Sequence, residues 1–142
     1  MTITICSGYF QRFHAGHATY IENALRFGER TIVIINNDAQ QKRKYKEFKN
    51  IKPFLQIAAE IRRTFPEVII MESVDTDGTV CKTLETIYRE KQCGERLLFC
   101  KDADRNLSNI PEAETLNRLH IGLLQFTHAK EGSSTEIMRG EQ

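Results

Sequence analysis

No apolar run in this chain approaches the roughly 20 residues that a membrane-spanning helix needs. Residues 1–20 also lack the basic start and long apolar stretch of a secretory leader. An excess of one charge is missing too. Twenty Lys and Arg face 19 Asp and Glu, a formal net charge of +1, so there is no global pull toward nucleic acid or an acidic membrane. The four cysteines (Cys6, Cys81, Cys93 and Cys100) form no Cys-x-x-Cys and no zinc-ligand spacing. That scatter predicts free thiols in a reducing, cytoplasmic setting. Repeats, linkers and low-complexity tracts are absent as well. What is present is ordinary for a globular protein: 142 residues, 40% hydrophobic and 27% charged, enough for one domain over 1–142 with its own core.

Strand and helix signals alternate along the chain. Short apolar runs at Ile3–Cys6, Thr31–Ile35, Val68–Met71, Leu97–Cys100 and Gly122–Phe126 predict strands. Their continuous hydrophobicity suits parallel strands buried on both faces. Between them, helical spacing predicts helices over Ala18–Arg26, Phe54–Phe65 and Thr79–Gln92, and another from Pro111 to about Leu119. Asn37–Asn50 reads as a charged loop or short helix, and Asp75–Gly78 as a turn whose aspartates cap the helix at Thr79. Ser134–Arg139 reads as a helix start. The alternation predicts an α/β, Rossmann-like fold, an open parallel five-stranded sheet with helices on both faces. Its ligand crevice is expected at the strand C-termini, beside the first strand. Residues 8–17, 36–50, 101–106 and 127–135 would then surround one cleft.

The stretch Gly8-Tyr9-Phe10-Gln11-Arg12-Phe13-His14-Ala15-Gly16-His17 joins the first strand to the first helix. The first turn of a helix offers unpaired N–H groups and the positive end of its dipole, which suits phosphate. His14 and His17 lie three apart, so both rings can address one anion. Gly16 has no Cβ to keep a ligand from the backbone.

This Gly-x-Phe-x-x-x-His-x-Gly-His run resembles the signature of the cytidylyltransferase-like nucleotidyltransferases. That family includes glycerol-3-phosphate cytidylyltransferase and the heptose-phosphate adenylyltransferases. A second stretch, Gly132-Ser133-Ser134-Thr135-Glu136-Ile137, is similar to the family's Ser/Thr-rich helix start. The resemblance implies an enzyme that joins a nucleoside triphosphate, CTP or ATP, to a phosphorylated sugar or polyol and releases pyrophosphate. It implies Mg²⁺ bridging the phosphates with few protein ligands. His14 and His17 would stabilise the transition state, and Tyr9 and Phe10 would meet the nucleotide through their backbone. Lys44 would bind the acceptor phosphate and Lys46 the triphosphate. Ser133, Ser134 and Thr135 would hold the β- and γ-phosphates, with Asp104 and Arg105 near the nucleotide. Neither a nucleic-acid nor a membrane partner is implied, and a homodimer is the candidate assembly.

The chain departs from the pattern in places. Phe54, Leu55 and Gln56 stand where relatives carry an Arg or His, and Gln11 stands for a common Asp. Lys101-Asp102-Ala103 replaces family glycines, and His128 or Lys130 occupies the region of a family Arg. Each residue also has a plainer reading. The histidines could cap a helix, the lysines could form a solvated loop, and Ser133–Thr135 could be an ordinary N-cap. The rival functional reading is a catalytically inactive nucleotide-binding module. A fragment related to class I aminoacyl-tRNA synthetases fits less well, since the chain has no basic excess.

Overall fold

Consecutive apolar residues such as Val33, Ile34 and Ile35 are stable in a strand only when both faces of the sheet are covered. A computed structural model, which describes residues 1–102, 110–127 and 134–137, shows that they are. The elements are β1 (Thr2–Gly8), α1 (Ala15–Phe27), β2 (Arg30–Ile35), α2 (Asp38–Lys44), α3 (Phe54–Thr64), β3 (Ile69–Glu72), α4 (Cys81–Glu90), β4 (Arg96–Lys101), α5 (Ala113–Arg118), β5 (Gly122–Thr127) and β6 (Ser134–Ile137). The sheet order is β3-β2-β1-β4-β5-β6. Every neighbouring pair from β3 to β5 is parallel. The expected parallel five-stranded sheet is therefore present.

Strand side chains alternate between two cores. Cys6, Val33, Ile35 and Cys100 pack with Tyr20, Ile21 and Ala24 of α1 and with Ile57, Ala58 and Ile61 of α3. Ile3, Ile5, Ile34, Leu97 and Phe99 pack with Leu84 and Ile87 of α4 and Leu116 of α5. Each such aliphatic or aromatic side chain contributes about 1.5–3 kcal/mol when fully buried. The chain builds β1, β2 and β3 outward, then returns to place β4 on the other side of β1. The order reverses between β1 and β4, and a crevice opens at their C-terminal ends.

Local caps fix the ends of these elements. Asn37 and Gln40 form a reciprocal capping box on α2. Asp75 caps α4 from outside the helix: Lys82 N–H donates to its Oδ2 at 2.7 Å, and Thr83 N–H donates to its Oδ1 at 3.0 Å. Asp77 accepts from Thr79 N–H at 3.0 Å. Asp75 thus takes the capping role read from the sequence, whereas Asp77 closes the turn on Thr79, ahead of the first residue of α4. The polar stretch Asn37–Asn50 contains a short helix, α2. Helix α1 starts at Ala15 rather than Ala18, because Ala15, Gly16 and His17 carry no apolar periodicity to mark the first turn.

One expectation is corrected. Ser134–Ile137 is a strand, β6, antiparallel to β5 with Thr127 opposite Ser134 and Leu124 opposite Ile137. The expected helix start at Ser134 is not formed. β5 would otherwise be a free edge with unpaired backbone groups, and Thr and Ile fit a strand better than a helix. The backbone of Ser134 and Thr135 therefore belongs to a sheet ladder, not to the anion-binding first turn of a helix. Ser133, Asp104, Arg105, His128, Lys130 and Gly132 lie outside the described residues.

Candidate active site

Gly8 ends β1, and the chain turns sharply after it. Phe10 takes a left-handed backbone conformation, φ 53°, which is uncommon for a non-glycine residue and tends to mark functional turns. Its ring is buried against β1. A Cβ on Gly8 would lie 3.1 Å from that ring, so glycine makes the room. The ring meets His17 edge-on, centroids 5.1 Å apart at 71°. Phe13 stacks on His17 at 6.0 Å and 20°, and His14 stacks on it at 4.0 Å and 23°. Two phenylalanines and a histidine thus fix the orientation of His17.

His14 is the N-cap of α1, and its Nδ1 accepts the Gly16 N–H at 3.0 Å. The neutral ring therefore carries its proton on Nε2. A Cβ on Gly16 would lie 2.8 Å from His14 Cε1. The space left by the missing Cβ is filled by the His14 ring, not left open for a ligand. Burial, and secondarily the adjacent His14, push the His17 pKa below its ordinary value, with Asp102 and the Arg12 carbonyl opposing. His17 is neutral at pH 7. Its Nδ1 is buried, and among the described residues the Arg12 carbonyl is the one group facing the ring that offers it an acceptor.

A cleft of about 830 Å³ opens beside this turn, at the C-terminal ends of β1 and β4. Tyr9, Phe10, His14, His17 and Lys44, all expected at the site, line it. Lys44 is exposed and rests its Nζ 4.7 Å from the Tyr9 ring centroid. Tyr45 packs edge-on to both Tyr9 and Phe48, centroids 5.9 and 5.7 Å apart. Lys46 does not join them. It is exposed in the turn after α2 and is not among the residues lining the cleft. Under the floor, the Tyr20 hydroxyl donates to the Cys100 carbonyl at 2.7 Å and accepts from Ser7 N–H at 3.2 Å. It ties β1 to β4 at the switch point. Burial pushes its pKa well up, so it stays a phenol. Burial likewise raises Cys6, and both Cys6 and Cys100 are buried free thiols, the role expected of them.

Three cleft cations escaped sequence reasoning: Arg12, Lys52 and Lys101. Lys101, at the end of β4, is only 6% exposed, and its neighbour Asp102 lines the cleft beside it. Gln11, seen in the sequence only as a replaced Asp, organises the rim. Its Nε2 donates to the Lys52 carbonyl at 2.8 Å, and its Oε1 accepts the Lys52 N–H at 2.9 Å. It also donates to Gln41 Oε1 at 3.0 Å. Gln41 is fully buried and donates through Nε2 to the Tyr9 and Asn36 carbonyls at 2.9 and 3.1 Å. The Tyr9 carbonyl is therefore engaged within the protein. The only sequence signal for this network was a polar Gln-Gln pair within a charged helix, which reads as solvated surface.

Among the described residues, the cleft gathers histidine N–H donors, several cations and one carboxylate. That is a donor set for a polyanion. Among the described residues, no group of three or more His, Cys, Asp or Glu could hold a metal, and no helix is long and apolar enough to cross a membrane.

Comparison with known proteins agrees. The family model for cytidylyltransferase-like proteins matches residues 5–140. The bifunctional protein HldE of Photorhabdus laumondii is 43% identical over 54 residues, covering 38% of this chain and 11% of that protein. That of Proteus mirabilis is 41% identical over the same length. The match thus spans about a tenth of these curated relatives. Among solved structures, a lipopolysaccharide core biosynthesis protein from Thermoplasma volcanium superposes with a TM-score of 0.64 at 15% identity, covering 88% of this chain and 95% of that one. A bifunctional NMN adenylyltransferase/ADP ribose pyrophosphatase from Francisella tularensis gives 0.65 at 16%, covering 90% and 37%. At these identities the two structures share the fold.

Proposed function

The chain belongs to the cytidylyltransferase-like family, and on that footing we propose that it transfers a nucleotidyl group from CTP or ATP to a phosphorylated sugar or polyol. The observation that carries this reading is the stacked His14–His17 pair at the start of α1, in a cation-lined cleft at the strand C-termini.

The chemistry asks little of the protein beyond placement. An acceptor phosphate oxygen, already ionised at neutral pH, attacks the α-phosphorus in line. The new P–O bond forms as the bond to the α–β bridging oxygen breaks, and that electron pair leaves on pyrophosphate. No general base is needed, so catalysis rests on positioning and on neutralising charge that grows on the transferred and leaving groups. His14 donates through Nε2–H, its tautomer set by the Gly16 cap. His17, held between its aromatic neighbours, supplies the second donor. Lys44 meets the acceptor phosphate, and Lys101, at the end of β4, contributes charge at the cleft floor.

Mg²⁺ fits this cleft as the triphosphate's own counter-ion. The donor set is not a dedicated cage, and Asp102 is the carboxylate among the described lining residues that could touch the ion. When bound, it would neutralise phosphate charge. A panel of the common nucleoside triphosphates against phosphorylated sugars and polyols, with Mg²⁺, tests the reading. Pyrophosphate release for one pairing is expected. Tight triphosphate binding with no release from any pairing would replace it with the inactive nucleotide-binding module.

A further inference from the structure

Arg12, Lys52 and Lys101 all bring positive charge to the cleft. Lys52, two residues before α3, lines it. Its backbone is gripped on both sides by one side chain, with Gln11 accepting its N–H at 2.9 Å and donating to its carbonyl at 2.8 Å. Through Gln41, the same grip runs to the Tyr9 carbonyl on the histidine turn. The Lys52 ammonium is also occupied. It donates to both carboxylate oxygens of Glu60 on α3, at 3.1 and 2.9 Å.

We infer that Lys52 is an anion ligand of the cleft, positioned by Gln11 and parked on Glu60 until a phosphate displaces that carboxylate. A lysine that already meets two oxygens of one carboxylate has the reach and geometry to meet two oxygens of a phosphate. The dianionic phosphate is the stronger partner. The Lys52–Glu60 pair is partly exposed, 33% and 25% for the two side chains, so it is a weak hold, and the flexible stem lets the ammonium swing while Gln11 keeps the backbone fixed. Glu60 thereby acts as an internal competitor that lowers the affinity for weakly charged anions. That the phosphate belongs to the acceptor rests on the transfer reading; that an anion binds at Lys52 does not.

Inorganic phosphate is the probe, titrated into the labelled protein while the backbone amides of residues 52 and 16 are followed by NMR. Phosphate should shift the residue-52 amide in the wild type. Lys52→Ala should weaken the binding seen there about ten- to a hundred-fold, and Lys52→Arg should restore most of it. Glu60→Gln should tighten it about two- to five-fold, the worth of a partly exposed ion pair. With an active substrate pair in hand, Lys52→Ala should raise the acceptor KM by the larger factor and leave the triphosphate KM within about two-fold. Phosphate that moves only the Gly16 amide, or an affinity unchanged in both Lys52→Ala and Glu60→Gln, overturns the inference. Phosphate binding at Lys52 without pyrophosphate release from any pairing leaves the inference standing and defeats the transfer reading instead.

Discussion

A single methyl group at position 16 would push the His14 ring off both its cap and its stack on His17. Gly16 is the second residue of α1, and a Cβ there would lie 2.8 Å from Cε1 and 3.1 Å from Nδ1 of His14. The ring must rotate away, losing the 3.0 Å bond from the Gly16 N–H and its stack on His17. Loss of an N-cap costs about 0.5–2 kcal/mol. Alanine in place of glycine in a helix returns up to about 1 kcal/mol. The two nearly cancel, so Gly16→Ala should unfold in urea within about 1 kcal/mol of the wild type. Turnover should not survive so well, because a displaced electrostatic donor typically costs on the order of 10²–10³ in kcat. Pyrophosphate release and urea denaturation, measured on the same preparation, give both numbers. A variant with turnover within about threefold of the wild type would refute the reasoning, since the ring could then move without consequence. Destabilisation beyond about 3 kcal/mol would also refute it, by showing that the cap carries more of the fold than the geometry allows.

Further outcomes follow from the same coordinates. Lys44→Ala should raise the acceptor KM by the equivalent of about 1.5–3 kcal/mol, whereas Lys46→Ala, outside the cleft, should change every constant less than about twofold. Steady-state kinetics on both variants checks this, and equal effects would place the loop differently when substrates bind. The depressed pKa of His17 makes a signed prediction about acid. On acidification the unfolded chain, with an ordinary histidine near 6.5, takes up the proton before the folded one does. Stability should therefore be fully present above about pH 6.5 and decline as pH falls from there toward the lowered folded value. Denaturation midpoints across that range should flatten in His17→Gln; an unchanged slope would assign the effect elsewhere. Tyr20→Phe leaves the Ser7 N–H and Cys100 carbonyl without their shared partner, and should cost about 1–3 kcal/mol in chemical denaturation.

Much of the fold was legible because burial on both faces leaves a plain mark. Thr31–Ile35 and Leu97–Cys100 could be little else than interior strands, and Tyr20, Ile21 and Ala24 fell at helical spacing. The histidine turn was legible because its residue types and spacing are themselves the device. What was hidden depends on partners far along the chain. Ser134–Ile137 carries an N-cap-like composition, and only the free edge of β5 decides for a strand. Gln41 looks like the polar face of a charged helix until the Tyr9 carbonyl and Gln11 are seen to enclose it. Lys52 is one lysine among several in a basic stretch, and its distinction is the grip of a side chain 41 positions away. Gly16 was read as opening the backbone to a ligand, but the group that fills the space is the neighbouring ring.

The most direct test of the central claim pairs turnover with binding in His17→Ala. If the stacked histidines act on the transition state, kcat for pyrophosphate release should fall about 10²–10³-fold. The triphosphate dissociation constant, measured by calorimetry, should stay within about threefold of the wild type. Near-normal pyrophosphate release from the variant would contradict the account and reduce the histidine pair to a cap on α1.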